Sequence, residues 1–388
     1  MKNTLFHGGP KFFLGCLLIL LVTTVRAQQP ARMRISLLTC TPGDELYSTF
    51  GHSAIRITDS VTAQDIVFNY GTFNFDDEGF YLKFIRGKLL YYVSTASFYD
   101  FKEEYLLSNR GITEQVLLLS DEEKIALRDF LFNNAKEENK YYQYDFFFDN
   151  CTTRLRDIIA AHKQNMPPPV AIMPGGTTFR QAIYQYLDKN DKAWSKLGID
   201  ILLGAPTDAV MSAAEMQFLP DNLMTALDSS HRRQPVVVSK ASLYEFQQAA
   251  TGGGSFFSPA LFFGLLLLVI VLTGFSKHHA ATAFLQGFDG LLFFFTGVLG
   301  IVLILMWTAT NHQMCRNNYN LLWALPSYAV LAFVVNSKKV WVKKAFKYTA
   351  LFLLVVLIAW FMLPQHMNRG LLPLVLLLLY RSAARAMP

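Results

Sequence analysis

Two side chains in this sequence stand in settings that suit nucleophilic catalysis, Cys151 and His52. Cys151 follows Asp149-Asn150, residue types that cap helix N-termini, and precedes Leu155, Ile158 and Ile159, which form one apolar helical face. A thiol in a first helical turn feels the positive end of the helix dipole, which draws it toward thiolate. Its backbone N–H then lies where an oxyanion forms in acyl transfer, and Arg154 and Arg156 add positive potential. The competing reading is a small buried hydrophobe, the commoner fate of a lone cysteine. A thiolate needs a base, usually a neutral histidine within hydrogen-bond reach. Of the eight histidines, His52 stands apart because it opens an apolar strand after the loop 41–50. The competing reading there is a histidine filling a hydrogen bond at a polar strand edge. A third group should orient the imidazole. Asn69 and Asp65, on the following strand, both qualify, and the sequence does not choose between them.

Strands are expected at 34–40, 52–58, 65–70, 89–94 and 112–119. In the second, Ile55 and Ile57 alternate with His52, Ala54 and Arg56. Ser120 with Glu123 reads as a capping box that opens a helix to about Asn134. The stretch 166–176, with four prolines and two glycines, reads as a loop, and weaker helical segments follow it. The result is a mixed α/β domain that ends near 240, with a boundary at 251–254.

Beyond the boundary the composition changes. Hydrophobic residues make up 52% of the chain and charged residues 16%, and the apolar ones become nearly continuous after about 250. Apolar spans are expected at 256–275, 288–306, 321–335, 346–363 and 371–380, about five membrane helices. The third and fifth are short enough to be re-entrant or to extend into their flanks. Lys2 and Lys11, the apolar run 12–22 and Val25-Arg26-Ala27 read as a cleaved signal peptide. The expected layout is therefore signal peptide 1–27, exported domain 28–240, linker 241–255 and membrane domain 256–388. Loop charge agrees. Lys277, Lys338, Lys339, Lys343, Lys344, Arg381 and Arg385 fall on the cytoplasmic side of that topology, against Arg316 and Arg369 outside. The expected location is the cytoplasmic (inner) membrane, with the catalytic domain in the periplasm and the C-terminus inside. The net charge of +6 includes no long basic run, so nucleic acid is not an expected partner. The mature chain keeps Cys40, Cys151 and Cys315, which form neither a disulfide framework nor zinc spacing; no metal or cofactor is expected.

A His-bearing strand followed by Asn150-Cys151 at a helix start resembles the circularly permuted papain-like group, which includes the lecithin:retinol acyltransferase-like enzymes. The fold class so implied is an α+β permuted papain-like (NlpC/P60-like) domain followed by an all-α multi-pass transmembrane domain. A closer resemblance covers most of the chain. The stretches 37–56, 68–73 (Phe-Asn-Tyr-Gly-Thr-Phe) and 144–154, with Leu202-Leu203-Gly204-Ala205-Pro206-Thr207-Asp208, Phe218-Leu219-Pro220 and His312…Asn318-Tyr319-Asn320-Leu321-Leu322, resemble the Lnb N-terminal periplasmic domain family. That resemblance implies lipoprotein N-acyltransfer. A phospholipid would give an acyl chain to a cysteine thiol, and the α-amine of a diacylated lipoprotein would receive it, both partners being drawn from the membrane. His52 and Cys151 fall on the family's His and Cys motifs, with Asn69 as the third candidate. Tyr47, Ser48, Asn150, Arg154, His312 and Asn320 are candidates for substrate contact; Arg154 reads equally as the partner of a carboxylate, and His312 and Asn320 as loop anchors. Two other functions stay open: a papain-like cell-wall peptidase or amidase, and a non-catalytic membrane assembly module with Cys151 structural or bonded to Cys40.

Overall fold

The structure is a computed structural model that describes residues 33–189, 191–229, 235–245 and 257–387. The expected signal peptide and the boundary at 251–254 lie outside the described residues. Seven strands, β1 (Met33–Cys40), β2 (His52–Asp59), β3 (Gln64–Thr72), β4 (Leu90–Ser97), β5 (Ile112–Leu117), β6 (Tyr141–Gln143) and β7 (Val237–Tyr244), form one sheet in the order β6-β4-β3-β2-β1-β5-β7. Every pairing is antiparallel. The strand alternation of β1 and β2 divides their residues between two cores. Ile35, Leu37, Ile55 and Ile57 pack on one face, whereas Leu38, Cys40 and Ala54 pack on the other.

Helices α1 (Phe80–Ile85), α2 (Phe98–Leu107), α3 (Asp121–Asn134), α4 (Cys151–His162), α5 (Phe179–Lys189), α6 (Ala193–Leu202) and α7 (Pro220–Asp228) complete the domain. The first core takes Leu127 and Leu131 from α3, Leu155, Ile158 and Ile159 from α4, and Leu223 and Leu227 from α7. The second takes Phe101 and Tyr105 from α2. The Ser120–Glu123 capping box forms with both reciprocal bonds, which satisfies the first N–H groups of α3.

The C-terminal region is helical: α8 (Pro259–Gly274), α9 (His279–Thr308), α10 (Tyr328–Val334), α11 (Val340–Ala359) and α12 (Leu372–Ala386). Among the described helices, α9 alone has the length and apolar composition to cross a bilayer, and α8 is apolar but has 16 residues. The apolar stretch expected at 321–335 is broken. A 3-10 turn at Tyr319–Leu322 is separated from α10 by Pro326, which has no N–H to donate and disfavours helix in the residue before it. The broken segment still runs down the flank of α9, Ala329 against Gly297 and Ala332 toward Gly290. The stretch expected at 371–380 extends instead to Ala386. This extension carries Arg381 and Arg385 to the buried Asp289 of α9, with Arg381 Nε 2.7 Å from its carboxylate.

Candidate active site

Cys151 is the first residue of α4. Asn150 caps the helix: its side-chain oxygen accepts from Thr152 N at 2.7 Å and Thr153 N at 2.8 Å, while Thr153 Oγ1 accepts from Asn150 N at 2.8 Å. The Asn150 amide nitrogen donates to the carbonyls of Phe146 and Phe218. Its side-chain amide is thus fully paired in holding the turn and the Phe218 carbonyl, while the residue still lines the cavity beside Cys151. Ser53 Oγ and Thr152 Oγ1 lie 3.0 Å apart and tie the start of β2 to the start of α4. His52 is thereby brought to the thiol.

The imidazole has its partners on both sides. Nε2 donates to Asn69 Oδ1 at 2.5 Å, which leaves Nδ1 for the Cys151 sulfur, with which the ring shares a hydrogen bond. Asp65, the other candidate, is taken: Arg56 forks onto its carboxylate at 2.7 and 2.6 Å. Asn69 reaches the ring where β3 slips register against β4 between Asn69 and Thr72. Gly71, inside that irregularity, has φ +90°, and a Cβ there would stand 3.7 Å from the Cys151 Cβ. A residue with a side chain would meet backbone strain beside the nucleophile.

Burial pushes the Cys151 thiol up, but the His52 charge, the His52 hydrogen bond and the Ser53 backbone N–H outweigh it. The thiol is lowered to about 7. For His52, burial works against the charged ring, and the Cys151 sulfur followed by the bonds from Cys151 and Asn69 reverse this; the net direction is up. Opposite shifts of this kind are those of a thiolate–imidazolium pair. Cys40 lies opposite His52 across the β1–β2 pair, is free, and is pushed up to about 12 by burial. Cys151 is also free, so the two do not form the disulfide of the non-catalytic reading.

A cavity of about 420 Å³ opens beside the sulfur. Its wall is mainly apolar and aromatic, including Phe73, Phe84, Tyr91, Tyr144, Phe146 and Phe218. The far side is His312–Cys315 of the loop between α9 and α10, so both halves of the chain build it. Tyr47, 72% exposed, and His312 line the cavity; His312 Nε2 donates to the Phe84 carbonyl at 3.1 Å. Three expected contacts are corrected. Ser48 is buried and donates to the Glu45 carbonyl. Arg154 stacks on Tyr142 and forks onto Asp149 at 2.6 and 2.8 Å, the carboxylate-partner alternative. Asn320 is 1% exposed and donates to the Asp200 carbonyl at 2.9 Å while accepting from Trp323 Nε1. None of the three lines the cavity.

Asn320 belongs to a buried polar joint between the two halves. Arg180, on the otherwise apolar face of α5, pairs with Asp200 at 2.8 Å and Asp208 at 2.9 Å and donates to the Gly204 carbonyl and Thr207 Oγ1. From the bundle side, Asn318 donates to the Ile201 carbonyl, Gln365 to that of Leu203, and Asn368 to Asp200 Oδ2 at 2.7 Å. Gly204 N donates to the Met314 carbonyl at 2.8 Å, and a Cβ at Gly204 would collide with the Arg316 carbonyl. The joint thus fixes the Met314 wall opposite Cys151. Sequence reasoning missed this joint; its one signal was a charge among Phe179, Ala182, Ile183 and Leu187.

Residues 23–175 match the family described as the Lnb N-terminal periplasmic domain, and residues 251–387 match that described as the Lnb transmembrane domain. Together the two matches take in most of the chain. No curated protein and no solved structure matches it.

Proposed function

The chain belongs to the Lnb-type family, a membrane protein with a periplasmic N-terminal domain, and from that premise we propose that it is a lipoprotein N-acyltransferase working through a Cys151 thioester. The observation that carries the reading is the lowered thiol, paired with His52, at an apolar cavity whose far wall comes from the bundle. A hydrophilic peptide substrate has little use for such a wall; an acyl chain gains about 0.8 kcal/mol per buried methylene.

The Cys151 sulfur attacks the carbonyl carbon of a phospholipid ester, and His52 Nδ1 carries the thiol proton. The oxyanion forms near the backbone N–H of Cys151, which as a first-turn donor has no intrahelical acceptor. The tetrahedral intermediate collapses, the C–O bond breaks, and His52 returns its proton to the departing lysophospholipid oxygen. The thioester then meets the α-amine of a diacylglyceryl-cysteine lipoprotein. The amine attacks, its proton goes to His52, the C–S bond breaks, and the amide leaves with Cys151 as thiolate. Asn69 holds the ring so that Nδ1 serves both halves. Tyr47 and His312 contact the substrates at the cavity mouth. No cofactor or metal takes part. The fold is read as permuted papain-like, His strand before Cys helix, over about five membrane helices with the C-terminus cytoplasmic, in the inner membrane. The domain limits are read as 1–27, 28–240, 241–255 and 256–388.

The test is the acyl count of lipoproteins from cells carrying wild-type or Cys151→Ala protein as the sole source of the activity. Loss of the third acyl chain in the variant is expected; its persistence at wild-type level contradicts the reading.

A further inference from the structure

The segment around α1 carries a dense exposed apolar surface. Tyr81, Leu82, Phe84 and Ile85 are 76, 61, 50 and 53% exposed, and Phe75 beside them is 64% exposed. Four large apolar side chains in six residues, turned outward, are not what a water-facing turn uses. Charges of both signs border them: on the N-terminal side Asp77 pairs with Lys83 while Asp76 and Glu78 are exposed, and on the C-terminal side Arg86 and Lys88 are exposed, none of these last four in an ion pair among the described residues.

The position of this surface is set by the bundle. Asn311 N donates to the Arg86 carbonyl at 3.0 Å, and His312 Nε2 to the Phe84 carbonyl. Both partners lie within four residues of Thr308, where α9 ends. The 18 residues that close α9 rise about 27 Å, close to the ~30 Å of a bilayer core. The hydrogen bonds therefore hold α1 at the level where that helix leaves the hydrocarbon. Phe84 is both exposed and part of the cavity wall, and the half-buried His312 lines the same wall.

We propose that α1 is a lip seated in the outer leaflet of the membrane, with Tyr81, Leu82 and Ile85 among the acyl chains and Arg86 and Lys88 at lipid phosphates, and that it opens the Cys151 cavity sideways to the bilayer. The occupant is lipid because the patch is hydrogen-bonded to the loop that leaves the apolar α9, and Arg86 and Lys88 on its C-terminal side complement phosphate. An acyl chain then passes along Phe84 to the thiol without crossing water. The second half of the proposal rests on the acyltransferase reading; the seating of α1 does not.

The test is nitroxide accessibility in the full chain, reconstituted in nanodiscs of phosphatidylethanolamine and phosphatidylglycerol. Leu82→Cys, Tyr81→Cys and Ile85→Cys are labelled one at a time in a Cys16→Ser, Cys151→Ser background. Leu107→Cys, on an 80% exposed apolar residue at the end of α2, is the aqueous reference. The expected result is collision with oxygen several-fold above that with an aqueous nickel chelate at the lip, and the reverse at Leu107. Nickel accessibility at Leu82 equal to that at Leu107 overturns the proposal. Shielding from both reagents also overturns it, since it marks a protein partner or a second copy. The background lacks the nucleophile, so this result stands or falls apart from any acyl transfer.

Discussion

Two polar clusters flank the same cavity wall and are built in opposite ways. At the Arg180–Asp200 joint the guanidinium faces two carboxylates, a carbonyl and a hydroxyl, and the side-chain amides of Asn318, Asn320, Gln365 and Asn368 are all engaged. At the thiol, Cys151 bonds the His52 imidazole and the Ser53 backbone N–H, and it faces a cavity lined mainly by apolar side chains. Buried polar groups that are fully paired fix positions. A nucleophile held by one base and facing a cavity is poised for chemistry. The joint sets where the Met314 wall stands, and the thiol acts on what enters between.

The two clusters should differ most sharply when Cys151 is replaced. Cys151→Ala should lower transfer on the order of 10⁴-fold or more, as loss of a covalent nucleophile does elsewhere. Its unfolding free energy should change by less than about 1 kcal/mol. Transfer assays paired with thermal unfolding in nanodiscs read both. Arg180→Met should do the reverse. It strands the buried Asp200 and the partly buried Asp208 and should cost about 3–5 kcal/mol, seen as a lower unfolding midpoint, while the protein that remains folded still alkylates at Cys151.

Asn69→Ala should slow transfer about 10- to 100-fold, less than the 10²–10⁴ of losing a general base. Without the Asn69 bond the imidazolium is less favoured, so the Cys151 alkylation midpoint should move to higher pH. In the wild-type chain, iodoacetamide labelling of Cys151 should rise with pH through a midpoint near 7, because the thiolate appears as pH exceeds the lowered value, while Cys40 stays inert far above it. The smallest effect is expected at Arg154→Gln. A partly exposed pair with Asp149 is worth about 0–1 kcal/mol, so transfer should fall by less than about fivefold; a larger loss would give Arg154 a lipid phosphate to hold.

Local features were the legible ones. Asn150-Cys151 at a helix start and Ser120 with Glu123 lie within a few residues of each other, and capping is a short-range code. The choice of Asn69 over Asp65 was not legible, because it depends on Arg56 claiming Asp65 and on a register slip in β3. The stretches 202–208 and 312–322 stood out in the sequence as separate pieces, and nothing local says that Gly204 sits under the Met314 carbonyl. Asn320 and Ser48 looked like site residues because polar side chains near a motif read alike, whether they face substrate or a backbone carbonyl. The third apolar stretch hid its break at Pro326, since composition alone does not report a lost hydrogen bond.

The most direct measurement incubates purified protein with phospholipid vesicles and no acceptor, then weighs the peptide that carries Cys151. One added acyl mass is expected, removed by neutral hydroxylamine, absent in Cys151→Ala, and discharged when a diacylated lipopeptide is added. An unmodified Cys151 in protein that acylates the lipopeptide at the full rate contradicts it.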